Sequence, residues 1–359
     1  MRMRIFSLIG VLAILNVSLI YGQQKAATLS VGDKAPAVKV RKWFKGEPVN
    51  SLENGKVYVV EFWATWCKPC IAGMPHLSEL AAAYKDKVTV AGISIMERRG
   101  ITLEALDSFV TKRGAEMAYT VGAEDRNFMA ANWLRASGER GIPCAYVIDQ
   151  QGRIAWIGQP KQLDAVLPEV IAGKWDIVKA SADRKEYMRL QALDGEVIPQ
   201  LNPFMGNPGK PVEALAAIDK ILAVNPGLKY YPMTGHFTFY SLLKTNPDKA
   251  LVFAKEWFAH NDEPRFSTVT DAVYGKNNLP PEVYSFAAYC YQEQLARYPW
   301  SMDFPDTYST MAALYAKAGD NSKAAEAAGE AVKAARELKS FPVEKLKKLE
   351  AEFSKYQSR

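Results

Sequence analysis

Two short, nearly unbroken apolar runs mark the first half of the chain, residues 56–63 (KVYVVEFW) and 88–95 (VTVAGISI). Runs of this length, rich in β-branched and aromatic residues and bounded by polar ones, predict strands buried on both faces. Between them Leu77, Leu80 and Ala81 recur at helical spacing and predict a helix over 71–84. Residues 102–113 place Leu103, Leu106 and Val110 on one face and predict a second helix, and 126–137 predict a third. Segments 145–149 and 153–157, joined by Gln150-Gln151-Gly152, read as a β-hairpin with glycine at its turn, and 163–172 as a helix behind it. Strands alternating with helices, then a hairpin and a helix, predict an α/β fold with a mixed sheet covered on both faces.

Beyond Trp175 the pattern predicts helices only. Residues 181–196 read as helical and are ended by the Pro/Gly-rich 202–211 (NPFMGNPGKP). Laying 214–226 (ALAAIDKILAVNP) over 287–299 (AAYCYQEQLARYP) brings Leu222 onto Leu295, Ala223 onto Ala296 and Pro226 onto Pro299. Similar helices begin around Ala250 and Ala324, so starts at Ala214, Ala250, Ala287 and Ala324 recur every 36 or 37 residues. That period predicts stacked helix pairs, an all-α helical-repeat domain. Its best copy, 308–335, resembles the tetratricopeptide repeat, whereas the copy around 227–261 is degenerate.

The N-terminus carries Arg2 and Arg4, then seventeen uncharged, mostly apolar residues (5–21), then Gly22 before Gln23-Gln24. This is the layout of a cleavable export signal. An uncleaved anchor is the alternative, although the stretch is short for a hydrocarbon core of about 30 Å. The expected domains are therefore a signal peptide at 1–22, an α/β domain at 23–175 and the helical domain at 176–359, in a periplasmic or otherwise extracytoplasmic location. With 359 residues the chain is too long for one compact core, and a net charge of +6 without a basic run argues against nucleic-acid binding. The four cysteines are too few for a stapled secreted fold: Cys67 and Cys70 share one C-x-x-C, while Cys144 and Cys290 stand alone.

Disulfide exchange needs a thiolate near neutral pH, a second thiol that resolves the mixed disulfide, and access for a partner. Cys67-Lys68-Pro69-Cys70 at a strand-to-helix junction answers each need. Cys67 falls at a helix N-terminus, where free N–H groups favour negative sulfur, and Cys70 follows one turn on. Lys68 adds positive charge, and Pro69 fits a first turn that needs no N–H. A haem attachment site would need His where Ile71 stands, and structural zinc would need a second ligand pair. A peroxidase would carry Thr in place of Ala64, with a proline upstream. No cofactor beyond the cysteine pair, and no metal, is expected.

Residues 62–70 (FWATWCKPC) closely resemble the active-site motif of the thioredoxin superfamily, in particular its exported TlpA/ResA-type branch, and the resemblance runs over about 31–175. It implies a thioredoxin-like fold and a thiol–disulfide oxidoreductase acting on protein thiols and disulfides. Pro75 matches the family's helix-kinking proline. Gly141-Ile142-Pro143 matches the cis-proline loop, which offers backbone to a substrate, and residues 97–130 match the branch's extra mid-domain segment. Glu61 stands where the family places a buried acid that relays the proton of the second cysteine, the alternative being an acid that reaches solvent at the sheet end. The family's partnering lysine falls on Gly92, and the Glu that many relatives carry three residues after the motif falls on Gly73. Trp66 is expected to shield the disulfide and meet partners. Cys144, next to the proline, is expected near the pair, either touching substrate or as small core filler. The resemblance favours the reducing direction, with a membrane-bound thiol donor. A disulfide-forming oxidant, or a scaffold whose helical domain recruits a protein partner, stay open as alternatives. Cys290 reads as core, and His76, His236 and His260 show no catalytic pairing.

Overall fold

The computed structural model describes residues 27–206, 208–261 and 264–358. The expected signal segment lies outside them. Six strands, β1 (Val40–Lys45), β2 (Val57–Trp63), β3 (Val88–Ser94), β4 (Thr120–Glu124), β5 (Cys144–Ile148) and β6 (Ile154–Gly158), form one sheet in the order β1-β4-β3-β2-β5-β6. β2, β3 and β4 run parallel, while β1, β5 and β6 pair antiparallel with their neighbours, so the sheet is mixed. Every residue of the central β2 is buried, as its unbroken apolar pattern requires.

Alternation along β2 divides the core into two layers. Val57, Val59 and Trp63 pack with Met74 and Leu77 of α1 (Lys68–Ala83) and with residues of α3 (Leu163–Ile171). Tyr58, Val60 and Phe62 face the other way, onto Trp133 and Tyr146. Helix α2 (Leu103–Arg113), capped by Thr102, buries Leu106 and Val110, and lies between β3 and β4 in sequence.

β1 and β4 are not visible as apolar runs. β1 is an edge strand carrying Arg41, Lys42 and Lys45, and β4 is short and interrupted by Gly122. A Cβ at Gly122 would come within 2.7 Å of Val40, so glycine is what lets the edge strand close on β4. The helix expected over 126–137 begins later, because Arg126 and Asn127 take left-handed φ of 47° and 65°, and it is π-helical over Ala130–Arg135.

Helix α4 (Ile177–Leu201) is longer than its periodicity suggested and belongs to both halves of the chain. Ile177 and Ala180 pack on the sheet layer of Phe62, and the buried Arg184 bonds Ser137 O at 2.9 Å and Glu139 at 2.8 Å. At its other end Asp194 accepts from Thr234 N and Oγ1, each at 2.8 Å. Among the described residues eight α-helices follow: α5 (Pro211–Val224), α6 (Pro232–Thr245), α7 (Pro247–Ala259), α8 (Phe266–Val273), α9 (Pro281–Arg297), α10 (Phe304–Lys317), α11 (Asn321–Glu337) and α12 (Val343–Gln357). Among the described residues no strand lies beyond β6, and no helix is long and apolar enough to cross a membrane. Ala214, Ala250, Ala287 and Ala324 are all fully buried, on α5, α7, α9 and α11.

Candidate active site

β2 ends at Trp63, and four residues later the chain turns into α1, which sets Cys67 at the N-cap of a 16-residue helix. Pro69 sits in the first turn, and Pro75 lies inside the helix. Cys67 and Cys70 form a disulfide, with S–S 2.02 Å and Cα–Cα 5.3 Å. The Cys70 N–H donates to Cys67 Sγ at 3.2 Å. A helix-end amide aimed at this sulfur is the group that stabilises it as a thiolate once the bond is opened.

The rim comes from several elements. The Ile142–Pro143 peptide is cis and places the Ile142 carbonyl oxygen 3.7 Å from Cys67 Sγ. Trp66, next to Cys67 in the chain, is 38 % exposed and donates its indole N–H to Met96 O at 2.9 Å, so it is not core. Cys67 itself is only 3 % exposed in the disulfide state, less than the expected access suggested. Lys68 Nζ donates to the Trp300 carbonyl oxygen at 2.8 Å, a contact from the turn between α9 and α10 to the dipeptide inside the motif.

Sequence reasoning missed Glu97. Its carboxylate accepts from Thr65 N (2.8 Å), Thr65 Oγ1 (2.7 Å) and Ser94 Oγ (2.8 Å), which ties the end of β3 to the loop that delivers Cys67. Next to it Met96 takes a left-handed φ of 56°, unusual for a residue with a side chain, at the site's edge. The available signal was an acid just past the C-terminal end of a buried parallel strand, where functional loops gather.

On the sheet face that carries the disulfide, Glu61 is 2 % exposed, so it does not reach solvent at the sheet end. Burial pushes its carboxyl up to about 8. It pairs in register with Gly92. The space of the missing side chain is taken by Tyr119, whose ring would lie 2.7 Å from a Cβ at Gly92.

Cys144 requires a correction. It follows Pro143, but on β5 its side chain belongs to the layer of Phe62, Tyr146 and Ile148, while Cys67 and Cys70 belong to the opposite layer with Ala145 and Val147. The strand's alternation turns the sulfur away from the disulfide and into the core at 2 % exposure, so of the two readings the small core filler fits and the substrate contact does not; Ile142 keeps its place beside the pair. Burial pushes both the Cys144 and the Cys290 thiols well up, which leaves them unreactive.

Residues 31–157 match the family model described as the AhpC/TSA family. Protein FixW of Rhizobium leguminosarum is 35% identical over 157 residues, covering 42% of this chain and 70% of that protein. The thiol:disulfide interchange protein HelX of Rhodobacter capsulatus is 32% identical over 130 residues, 35% of this chain and 66% of that protein. The chain belongs to the thioredoxin-like thiol–disulfide oxidoreductases. A crystal structure of a thioredoxin-like superfamily protein is similar too, at 24% identity and a TM-score of 0.33, covering 39% of this chain and 96% of the other. In this oxidoreductase the matched segment is the sheet with its disulfide, and the helices from α5 onward lie outside it.

Proposed function

We propose that this chain reduces disulfides in proteins of an extracytoplasmic compartment, with Cys67 as nucleophile and Cys70 as resolving thiol. The observation that carries the reading is the Cys67–Cys70 disulfide at the N-terminus of α1, with the Cys70 N–H on the Cys67 sulfur. In the reduced chain the Cys67 thiolate attacks one sulfur of a client disulfide. A Cys67–client bond forms, the client S–S bond breaks, and the second client sulfur leaves as thiolate and takes a proton from water. Cys70 then gives its proton to the Glu61 carboxylate and attacks Cys67 Sγ. The Cys67–client bond breaks, the client sulfur that Cys67 had captured departs as thiolate, and two electrons have passed from the pair to the client.

Trp66, Ile142 and Pro143 form the surface on which the client chain rests, and Lys68 and Pro69 shape the dipeptide between the cysteines. The family resemblance supports a membrane-bound thiol donor that reduces the pair again, and the character of residues 1–22 supports export. The division of the mature chain near residue 175, into redox and helical domains, follows the change from mixed sheet to helices. For the helical domain, the four buried alanines spaced 36 or 37 residues apart support tetratricopeptide-like pairs that hold a protein partner.

Two experiments test the reading. Equilibrating the purified chain against glutathione buffers should give a potential near the thioredoxin value of about −270 mV; one near about −120 mV would make the protein an oxidant. Expressed in cells, Cys70→Ala should accumulate mixed disulfides on Cys67, and a complete lack of them would remove the exchange mechanism.

A further inference from the structure

Among the described residues, four buried side-chain N or O atoms have no hydrogen-bond partner, and three of them are Glu61 Oε2, Trp63 Nε1 and Tyr119 OH. These three meet at one place. Glu61 and Trp63 are two apart on β2 and share the face of the disulfide, and Tyr119 immediately precedes β4. A Cβ at Gly92 would lie 2.7 Å from Tyr119 Cε2, 3.5 Å from Glu61 Oε2 and 3.5 Å from Trp63 Cδ1, so all three side chains border the same point.

Buried polar atoms are almost always paired, and a group of them left over on one spot marks a built polar site. The inventory fits a carboxylate: the indole offers a donor, and the phenol offers a donor and an acceptor. No Lys or Arg acts on Glu61, whose shift comes from burial alone. The titratable groups that feel its charge are Tyr119 from the turn before β4 and Cys144 on β5, the latter from the far face of the sheet, while the cysteine pair packs in the same layer as Tyr119. Burial first, and then the Glu61 charge, raise the Tyr119 hydroxyl well above its ordinary range, so it stays a neutral donor.

We propose that Tyr119 is a positioning residue: its hydroxyl and the Trp63 indole N–H hydrogen-bond the Glu61 carboxylate through a bridging water molecule, and hold it as proton acceptor for Cys70. Tyrosine thereby fills with a neutral donor the place that the missing side chain of Gly92 leaves open. The inference rests on the relay role proposed for Glu61 but has its own readout.

The test follows the Glu61 carboxyl by carbon-13 NMR in the reduced full chain as pH is varied. Tyr119→Phe removes only the hydroxyl, and loss of one donor to the charged form should raise the Glu61 midpoint by roughly 1 pH unit. The pH dependence of mixed-disulfide resolution should move with it. If the Glu61 midpoint is unchanged or falls, the Tyr119 proposal is overturned, whatever Glu61 does in catalysis. If the midpoint rises in Tyr119→Phe, the positioning link stands. If Glu61→Gln at the same time leaves the resolution profile untouched, the relay reading of Glu61 alone is lost. Should Tyr119→Phe fail to fold, Gly92→Ala is read the same way: its Cβ pushes the Tyr119 ring aside and should also raise the midpoint.

Discussion

On the sheet face that carries Phe62, the buried polar groups are paired. Tyr146 OH and Ser137 Oγ are 2.7 Å apart, Trp133 Nε1 donates to Ala37 O at 3.1 Å, and Arg184 binds Ser137 O and Glu139. On the opposite face, which carries the disulfide, Glu61 Oε2, Trp63 Nε1 and Tyr119 OH are without protein partners. Polar groups are buried on both faces, so burial alone does not distinguish a scaffold from a site. What distinguishes them is whether the polar groups are finished. The first face holds the sheet to α4, and the second keeps hydrogen-bonding capacity in reserve, as the proposed proton relay through Glu61 requires.

The largest expected effect breaks the comparison at its sulfurs. Cys67→Ser should reduce disulfide exchange to the uncatalysed background in an insulin-reduction assay, whereas Cys144→Ala on the paired face should leave it within about twofold. In the same contrast, a native reduced chain should bind maleimide at Cys67 and Cys70 only, and at all four cysteines after denaturation. Labelling of Cys144 in the native state would show that the paired face opens.

Glu61 sharpens the contrast through pH. The folded chain holds its proton up to about pH 8, while an unfolded chain releases it near 4.5, so the folded state binds more protons across that window. Stability must therefore fall as pH rises between those values, by up to roughly 5 kcal/mol at about 1.4 kcal/mol per pH unit. Urea unfolding of Glu61→Gln should lack this decline. Under the proposed relay the resolution step uses the carboxylate, so its rate should rise with pH to a midpoint near 8 in the parent and stay flat in the variant.

A smaller effect belongs to the clamp. Glu97→Ala leaves the Thr65 and Ser94 donors without their acceptor and should cost roughly 1–3 kcal/mol of stability, read by thermal melting, with slower attack by Cys67. Smallest is Lys68→Met, since an exposed charge is screened: the Cys67 thiol titration should rise by less than about 1 pH unit.

The disulfide motif, the buried central strand, the α1 helix and the hairpin were legible because each is written in contiguous residues. The cysteine spacing, the β-branched run 56–63 and the glycine at the 150–152 turn are local signals. β1 and β4 were not legible, because their charged and glycine-bearing strands gain their place from pairing with each other. The Glu97 clamp, the Tyr119 hydroxyl and the Trp300 carbonyl at Lys68 join residues far apart in the chain, and no periodicity announces them. Cys144 was misplaced for the opposite reason: adjacency to Pro143 suggested closeness, and the two-residue repeat of a strand overruled it.

A protein that passes disulfides between others runs the risk of knotting itself. In this fold the sheet is a partition wall: the working sulfurs lie on one side, and the buried thiol of Cys144 on the other. Scrambling between them would require the central strands to part, so the chain can cycle repeatedly between its two redox states and keep a single internal bond pattern.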